Sequence, residues 1–133
     1  TITNSGTNTI LSQWGSGPNW SIILRAYNGV LRYQVSNEAE EGWSVVGSNA
    51  STGEWMHLVL TYDGTTTYGY LNGVLDGSIA GDGNVKSDVT TNFNIGTKND
   101  GGGSNWDGNI KDVKIYNRAL TSDEITKLYK KGL

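Results

Sequence analysis

Short apolar alternations, separated by Gly, Asn and Asp, run along most of the chain and predict strands. Ser21 to Tyr27 and Val30 to Val35 flank Asn28-Gly29, the two-residue signature of a type I′ hairpin. Thr66 to Leu71 and Val74 to Ile79 flank Asn72-Gly73 in the same way. Ile10 to Trp14, Trp43 to Val46, Trp55 to Tyr62 and Asn92 to Gly96 are further predicted strands. In Asn109 to Tyr116, Ile110, Val113 and Ile115 are aliphatic and Lys111, Asp112 and Lys114 are charged. That pattern predicts a last strand, and its break at Asp112-Val113 reads as a bulge or one buried polar group. A helix over Thr121 to Lys131 closes the chain. Thr121 fits its N-cap with Glu124 as capping-box partner, and Leu120 and Ile125 sit at the positions of a hydrophobic staple. Ile125, Leu128 and Tyr129 fall on one helix face.

Strands at this spacing, with no βαβ rhythm, imply an all-β antiparallel sandwich that the helix caps. Composition agrees. Of 133 residues 19 are Gly and one is Pro, so turns rely on Gly, Asn and Asp. Five Trp and seven Tyr carry enough buried area to offset a modest aliphatic content. The length suits a single domain over residues 1–133. No cysteine is present, which removes disulfides and thiolate chemistry. No run of apolar residues is long enough for membrane insertion.

Three blocks carry a family resemblance: Gly53-Glu54-Trp55-Met56-His57-Leu58-Val59-Leu60-Thr61-Tyr62-Asp63-Gly64, then Tyr70-Leu71-Asn72-Gly73-Val74-Leu75, then Trp106-Asp107-Gly108-Asn109-Ile110 through Ile125. In this order and spacing they resemble the laminin-G-like domains of the concanavalin A-like lectin/glucanase superfamily, from about Ile10 to Leu133. The resemblance narrows the sandwich to a curved two-sheet jelly roll with one short C-terminal helix. It also implies a departure. Relatives carry early strands ahead of the position matching Ile10, one of them beside the terminal strand, and here that part is absent or reduced to Thr1–Thr9. Strand completion by an upstream segment or another chain is therefore one expectation, because sheet edges are rarely left open.

Charge and chemistry restrict the function. The net charge is −3, with two basic and seven acidic residues in 1–85 against eight and six in 86–133. Neither half has the dense Lys/Arg field that nucleic acid requires. Retaining glycosidases hold two carboxylates about 5 Å apart, and sandwich glucanases present theirs as Glu-x-Asp-x-x-Glu on one strand. Nothing of that form occurs here, and Glu38-Ala39-Glu40-Glu41 reads as an acidic turn. His57 is the sole histidine, so no His cluster holds zinc. The expectation is a domain without catalysis.

Calcium, bound by six to eight oxygens, is better supplied. Asp100 and Asp107 bound a Gly-rich loop, and Asp82 stands in Gly81-Asp82-Gly83-Asn84. Asp112 matches a frequent acidic position of the resembled family. These four are candidate metal ligands, although Asn/Asp-rich loops also serve turn geometry alone.

Sugar recognition pairs an aromatic face with the apolar C–H face of a pyranose, while amides and carboxylates bond its hydroxyls. Trp106, flanked by Asn105 and Asp107, is the first candidate platform and Trp20 the second. Trp14 and Trp43 also lie in or beside loops. Each could be buried under its loop, but exposed Trp is costly and usually functional. Trp55 is expected in the core. Arg25, Tyr27, Arg32 and Tyr33 flank the first hairpin turn, as a groove lining or a solvent-facing strand edge. The leading expectation is a carbohydrate-binding or adhesion module of a larger secreted, cell-surface or virion protein, with a glycan as partner. The alternative is an assembly module making protein–protein contacts in a surface filament or fibre.

Overall fold

The structure, a computed structural model, describes residues 6–15, 20–39, 41–98 and 104–132. Eight strands precede one helix: β1 (Thr7–Trp14), β2 (Trp20–Tyr27), β3 (Val30–Ser36), β4 (Gly42–Asn49), β5 (Leu58–Tyr62), β6 (Thr66–Leu71), β7 (Val74–Ala80), β8 (Phe93–Ile95) and α1 (Ser122–Gly132). They form two antiparallel sheets, one in the order β4-β3-β2-β1-β8 and the other β5-β6-β7. This is the all-β antiparallel sandwich with a short C-terminal helix that the pattern predicts, and it is consistent with the jelly roll that the family resemblance implies.

Both Asn-Gly turns form as read. Asn28 and Gly29 adopt φ of 48° and 78°, Asn72 and Gly73 52° and 81°, the doubly positive geometry of the type I′ turn. Across β2, β3 and β4, Leu24, Tyr33 and Val45 stand in register. With Leu31 they are the buried centre, and Leu11, Leu58, Leu60 and Leu71 pack around it. Tyr33 is fully buried, which corrects its reading as part of a groove or solvent-facing edge. Its place opposite Leu24 puts it on the core side of the pleat.

The helix is capped as expected. The Thr121 N–H donates to Glu124 Oε2 at 2.9 Å, and the Glu124 N–H donates to Thr121 Oγ1 at 3.3 Å. Ile125 is fully buried and Leu128 and Tyr129 are half-buried. Thr126 Oγ1 donates to the Gly73 carbonyl and Tyr129 lies over His57, so the helix caps the sandwich at the β6–β7 turn.

Two expectations fail. Residues 109–116 form no strand. Asp112 takes φ 54°, a left-handed conformation that interrupts an extended ladder, and no strand among the described residues pairs with the segment. Val113, Ile115 and Tyr116 are left 41%, 66% and 44% exposed. Asp112 is itself exposed, so the break in alternation is a backbone kink and not a buried polar group. The second failure is Trp55, which is 58% exposed and not in the core. β5 begins only at Leu58, and the irregular backbone before it does not continue the strand's inward–outward alternation.

Candidate functional site

An open cleft of about 280 Å³ lies between residues 51–56 and 106–109. Trp55 and Trp106 furnish its aromatic surface, and Thr52, Glu54, Asp107 and Asn109 its polar groups. The Trp106 side is stitched to the larger sheet. The Thr9 N–H donates to the Ser104 carbonyl at 3.1 Å, Thr9 bridges Asn105, and the Trp106 N–H donates to the Gly96 carbonyl at 2.8 Å. On the other side the His57 N–H donates to Asn72 Oδ1, and the Asn72 N–H returns to the His57 carbonyl. The Trp106 wall is thus held by backbone hydrogen bonds, and the Trp55 wall runs directly into the His57–Asn72 pair, which favours a pre-formed site. Trp106 is half-buried, with its Nε1 buried and unpartnered. Lys111 Nζ stands 4.8 Å from the centre of the Trp55 ring.

His57, just behind the cleft, has its pKa lowered by burial first and by the charge of Lys114 second. Its Nδ1 is buried without a partner, and its ring meets Tyr129 at 5.8 Å. It is a packing residue.

The structure separates the remaining candidate tryptophans from this cleft. Trp14 and Trp20 stack on each other with ring centroids 5.6 Å apart, and Lys98 Nζ lies 3.9 Å from the Trp14 centroid. Trp20 also covers Gly42, where any Cβ would meet the indole. Trp43 stacks on Tyr62 at 6.1 Å and lies against Gly81. Asn105 accepts a 2.8 Å bond from Thr97 Oγ1 and serves its own loop. Trp106 and Asp107 are the predicted binding residues that line the cleft, and Trp55 is the residue that sequence reasoning missed.

The candidate metal ligands are dispersed. Asp82 Oδ1 accepts from the Asn37 amide at 3.3 Å, Asp107 lines the cleft, and Asp112 is exposed in the kinked segment. Asp100 lies outside the described residues. Among the described residues no three His, Asp or Glu side chains gather as a metal site. Of the acidic turn, Glu41 accepts from Asn37 and Glu38 from Ser87, while Glu40 lies outside the described residues.

A family model, Laminin G 3 of the concanavalin A-like lectin/glucanases superfamily, matches residues 1–126. The chain belongs to this laminin-G-like family. Among solved structures it is similar to residues 221–444 of an S-layer domain-containing protein from Clostridium thermocellum, at 27% identity and a TM-score of 0.54. That match covers 93% of this chain and 63% of the other, so the laminin-G-like chain spans less than two thirds of that relative. No curated protein matches it. Among the described residues no helix is long and apolar enough to cross a membrane.

Proposed function

We propose that this laminin-G-like domain is a non-catalytic carbohydrate-binding module of a larger extracellular or virion protein, and that its glycan lies across Trp55 and Trp106. The observation that carries the reading is Trp55. A tryptophan 58% exposed keeps a large apolar face in water, which folded proteins seldom retain without a binding role. It lines one cleft with Trp106 and with carboxylate and amide groups, the composition that pyranose recognition demands. Similarity to an S-layer domain-containing protein favours a cell-surface setting for the parent.

The test is a broad glycan array run with calcium and with EDTA, on the parent domain and on Trp55→Ala and Trp106→Phe. Binding to a related set of glycans, lost in Trp55→Ala while the fold is retained, supports the module. Loss in EDTA assigns a calcium ion to it. A blank array from folded protein overturns the reading.

One feature favours the assembly alternative. Residues 109–116 expose Val113, Ile115 and Tyr116 and carry no strand partner among the described residues. An added strand would cover such a segment. Light scattering and hydrogen exchange over 109–116, with and without neighbouring parts of the parent protein, separate the readings. Protection of that segment only in the longer protein or an oligomer favours assembly.

A further inference from the structure

The uneven charge along the sequence becomes a polarity of the folded domain. Strand β7 leaves the Asn72-Gly73 turn, where α1 is seated through Thr126 and Tyr129, and ends beside Asp82. Its seven residues separate the two ends by roughly 20 Å, at about 3.3 Å per residue. At the Asp82 end the Asn37 amide joins Glu41 to Asp82, and Glu38 accepts from Ser87. Asp63 shapes the β5–β6 turn there, which the Gly81 N–H ties alongside through the Thr65 carbonyl. All four acidic residues are exposed. At the helix end, residues 109–132 hold six basic residues against three acidic ones.

The basic end is grooved. Tyr116, Leu120 and Leu128 floor an open, mainly apolar groove of about 380 Å³, rimmed by Arg118, Lys127, Lys130 and Lys131. Arg118 is taken up by Glu124, with bonds of 2.8 and 2.7 Å. The three lysines are exposed, and none has an ion-pair partner among the described residues. Lys127 stands i, i+3 and i, i+4 to Lys130 and Lys131, spacings at which like charges destabilise a helix. The helix C-terminus compensates Lys130 and Lys131, but Lys127 lies a turn earlier. An apolar concavity with such a rim suits an occupant that brings carboxylates around an apolar surface.

We propose that this groove takes the acidic end of a second copy of the chain, so that copies associate head to tail. The acidic end has the inverse composition. Glu41, Asp63 and Asp82 stand beside the stacked rings of Trp43 and Tyr62, which are half-buried. Trp43 lies against Gly81, and the Tyr62 hydroxyl donates to the Gly83 carbonyl. The two surfaces differ and lie at opposite ends of β7, so the contact is heterologous and adds copies in rows. No residue of the groove lines the tryptophan cleft, and the contact needs no added strand at 109–116. The inference therefore stands independently of both readings above.

The experiment is sedimentation velocity up to about 1 mM, the weak end of the affinity scale, at low and high salt. Three proteins are compared: the parent, Lys127→Glu/Lys131→Glu, and Glu38→Lys/Asp82→Lys. The parent should associate with rising concentration. That association should fade as salt shortens the screening length from about 30 Å at 0.01 M to about 8 Å at 0.15 M. Each reversed protein alone should associate at least tenfold more weakly, with its circular dichroism unchanged. Mixed, the two should form a one-to-one pair and nothing larger, because the intact acidic end of the first meets the intact basic end of the second. The milder Lys127→Gln/Lys131→Gln should also weaken association, and Trp55→Ala should leave it as in the parent.

A parent that stays monomeric at low salt overturns the proposal. So does association indifferent to both reversals, or a mixture of the reversed proteins no more associated than either alone. Cosedimentation of a monomeric parent with anionic phospholipid vesicles, lost in Lys127→Gln/Lys131→Gln, would overturn the second copy in favour of a membrane surface.

Discussion

The hydroxyl of Tyr33 on β3 donates a 3.0 Å hydrogen bond to Asp76 Oδ2 on β7, tying the larger sheet to the smaller. Asp76 also accepts from the backbone N–H and hydroxyl of Ser48, so one carboxylate joins β3, β4 and β7. Burial first, and the Asp76 charge second, raise the Tyr33 pKa far above its ordinary value, which keeps the phenol protonated as a donor. Tyr33→Phe retains the packing and deletes the bond. We expect it to lower stability by about 2 kcal/mol, the scale of a hydrogen bond to a charged group. A urea midpoint that falls with an unchanged slope would show this.

The same tyrosine explains two glycines. A Cβ at Gly69 would overlap the Tyr33 ring, and one at Gly47 would meet both Asp76 and Tyr33. Gly69 lies within β6, where a glycine is otherwise a weak choice. Gly69→Ala must displace a fully buried ring, and we expect a loss of about 1–3 kcal/mol from overpacking. In the Tyr33→Ala background the penalty for Gly69→Ala should shrink, which a double-mutant cycle reads directly.

How far the sequence disclosed this molecule depends on where the information is local. The Asn-Gly turns and the Thr121–Glu124 capping box are set by neighbours in the chain, and all formed as read. Segment 109–116 has strand alternation, but a strand also needs an edge to pair with, and its aliphatic residues cannot report whether one is present. Trp55 fails for a related reason. Apolar character predicts burial only where the backbone is regular, and β5 starts three residues later. In the candidate site, Trp106 and Asp107 were legible from their loop. The stacking of Trp14 on Trp20, and the meeting of Arg25 with Arg32 on one sheet face, are tertiary facts that residue type alone does not encode.

His57 gives the fold a pH dependence near neutrality. Its pKa in the folded state is lowered by burial and by Lys114, from about 6.5 for the unfolded chain. The unfolded state therefore binds a proton that the folded state resists, and stability falls as pH drops below about 6.5. Melting temperatures between pH 7.5 and 5.5 should decline in the parent. With His57 the sole histidine, His57→Phe should flatten that slope while preserving contact with Tyr129.

Glu124 acts in a more acidic window. Its hydrogen bonds from Arg118, at 2.8 and 2.7 Å, and from the Thr121 N–H hold its pKa at about 2. A lowered carboxylate stabilises the fold in full above its unfolded value near 4.3, and the contribution is lost as pH falls toward 2. Helical circular dichroism should therefore decline across that interval. Glu124→Gln keeps a capping acceptor but lacks the charge, so the acid-induced decline should be smaller than in the parent.

Trp55 separates binding from folding. The residue is 58% exposed, and among the described residues its ring contact is with Lys111, a cation–π pair worth at most about 1 kcal/mol at an exposed site. Trp55→Ala should therefore cost about 1 kcal/mol or less by chemical denaturation. Trp20→Ala, by contrast, removes a ring that stacks on Trp14 and covers Gly42, and should cost about 3 kcal/mol. If the cleft binds sugar, the two variants invert on a glycan surface: Trp20→Ala, if folded, retains binding and Trp55→Ala loses it. Equal losses of binding would point instead to general unfolding. A large stability loss in Trp55→Ala would mean that its ring supports the fold, and the cleft would lose its strongest argument.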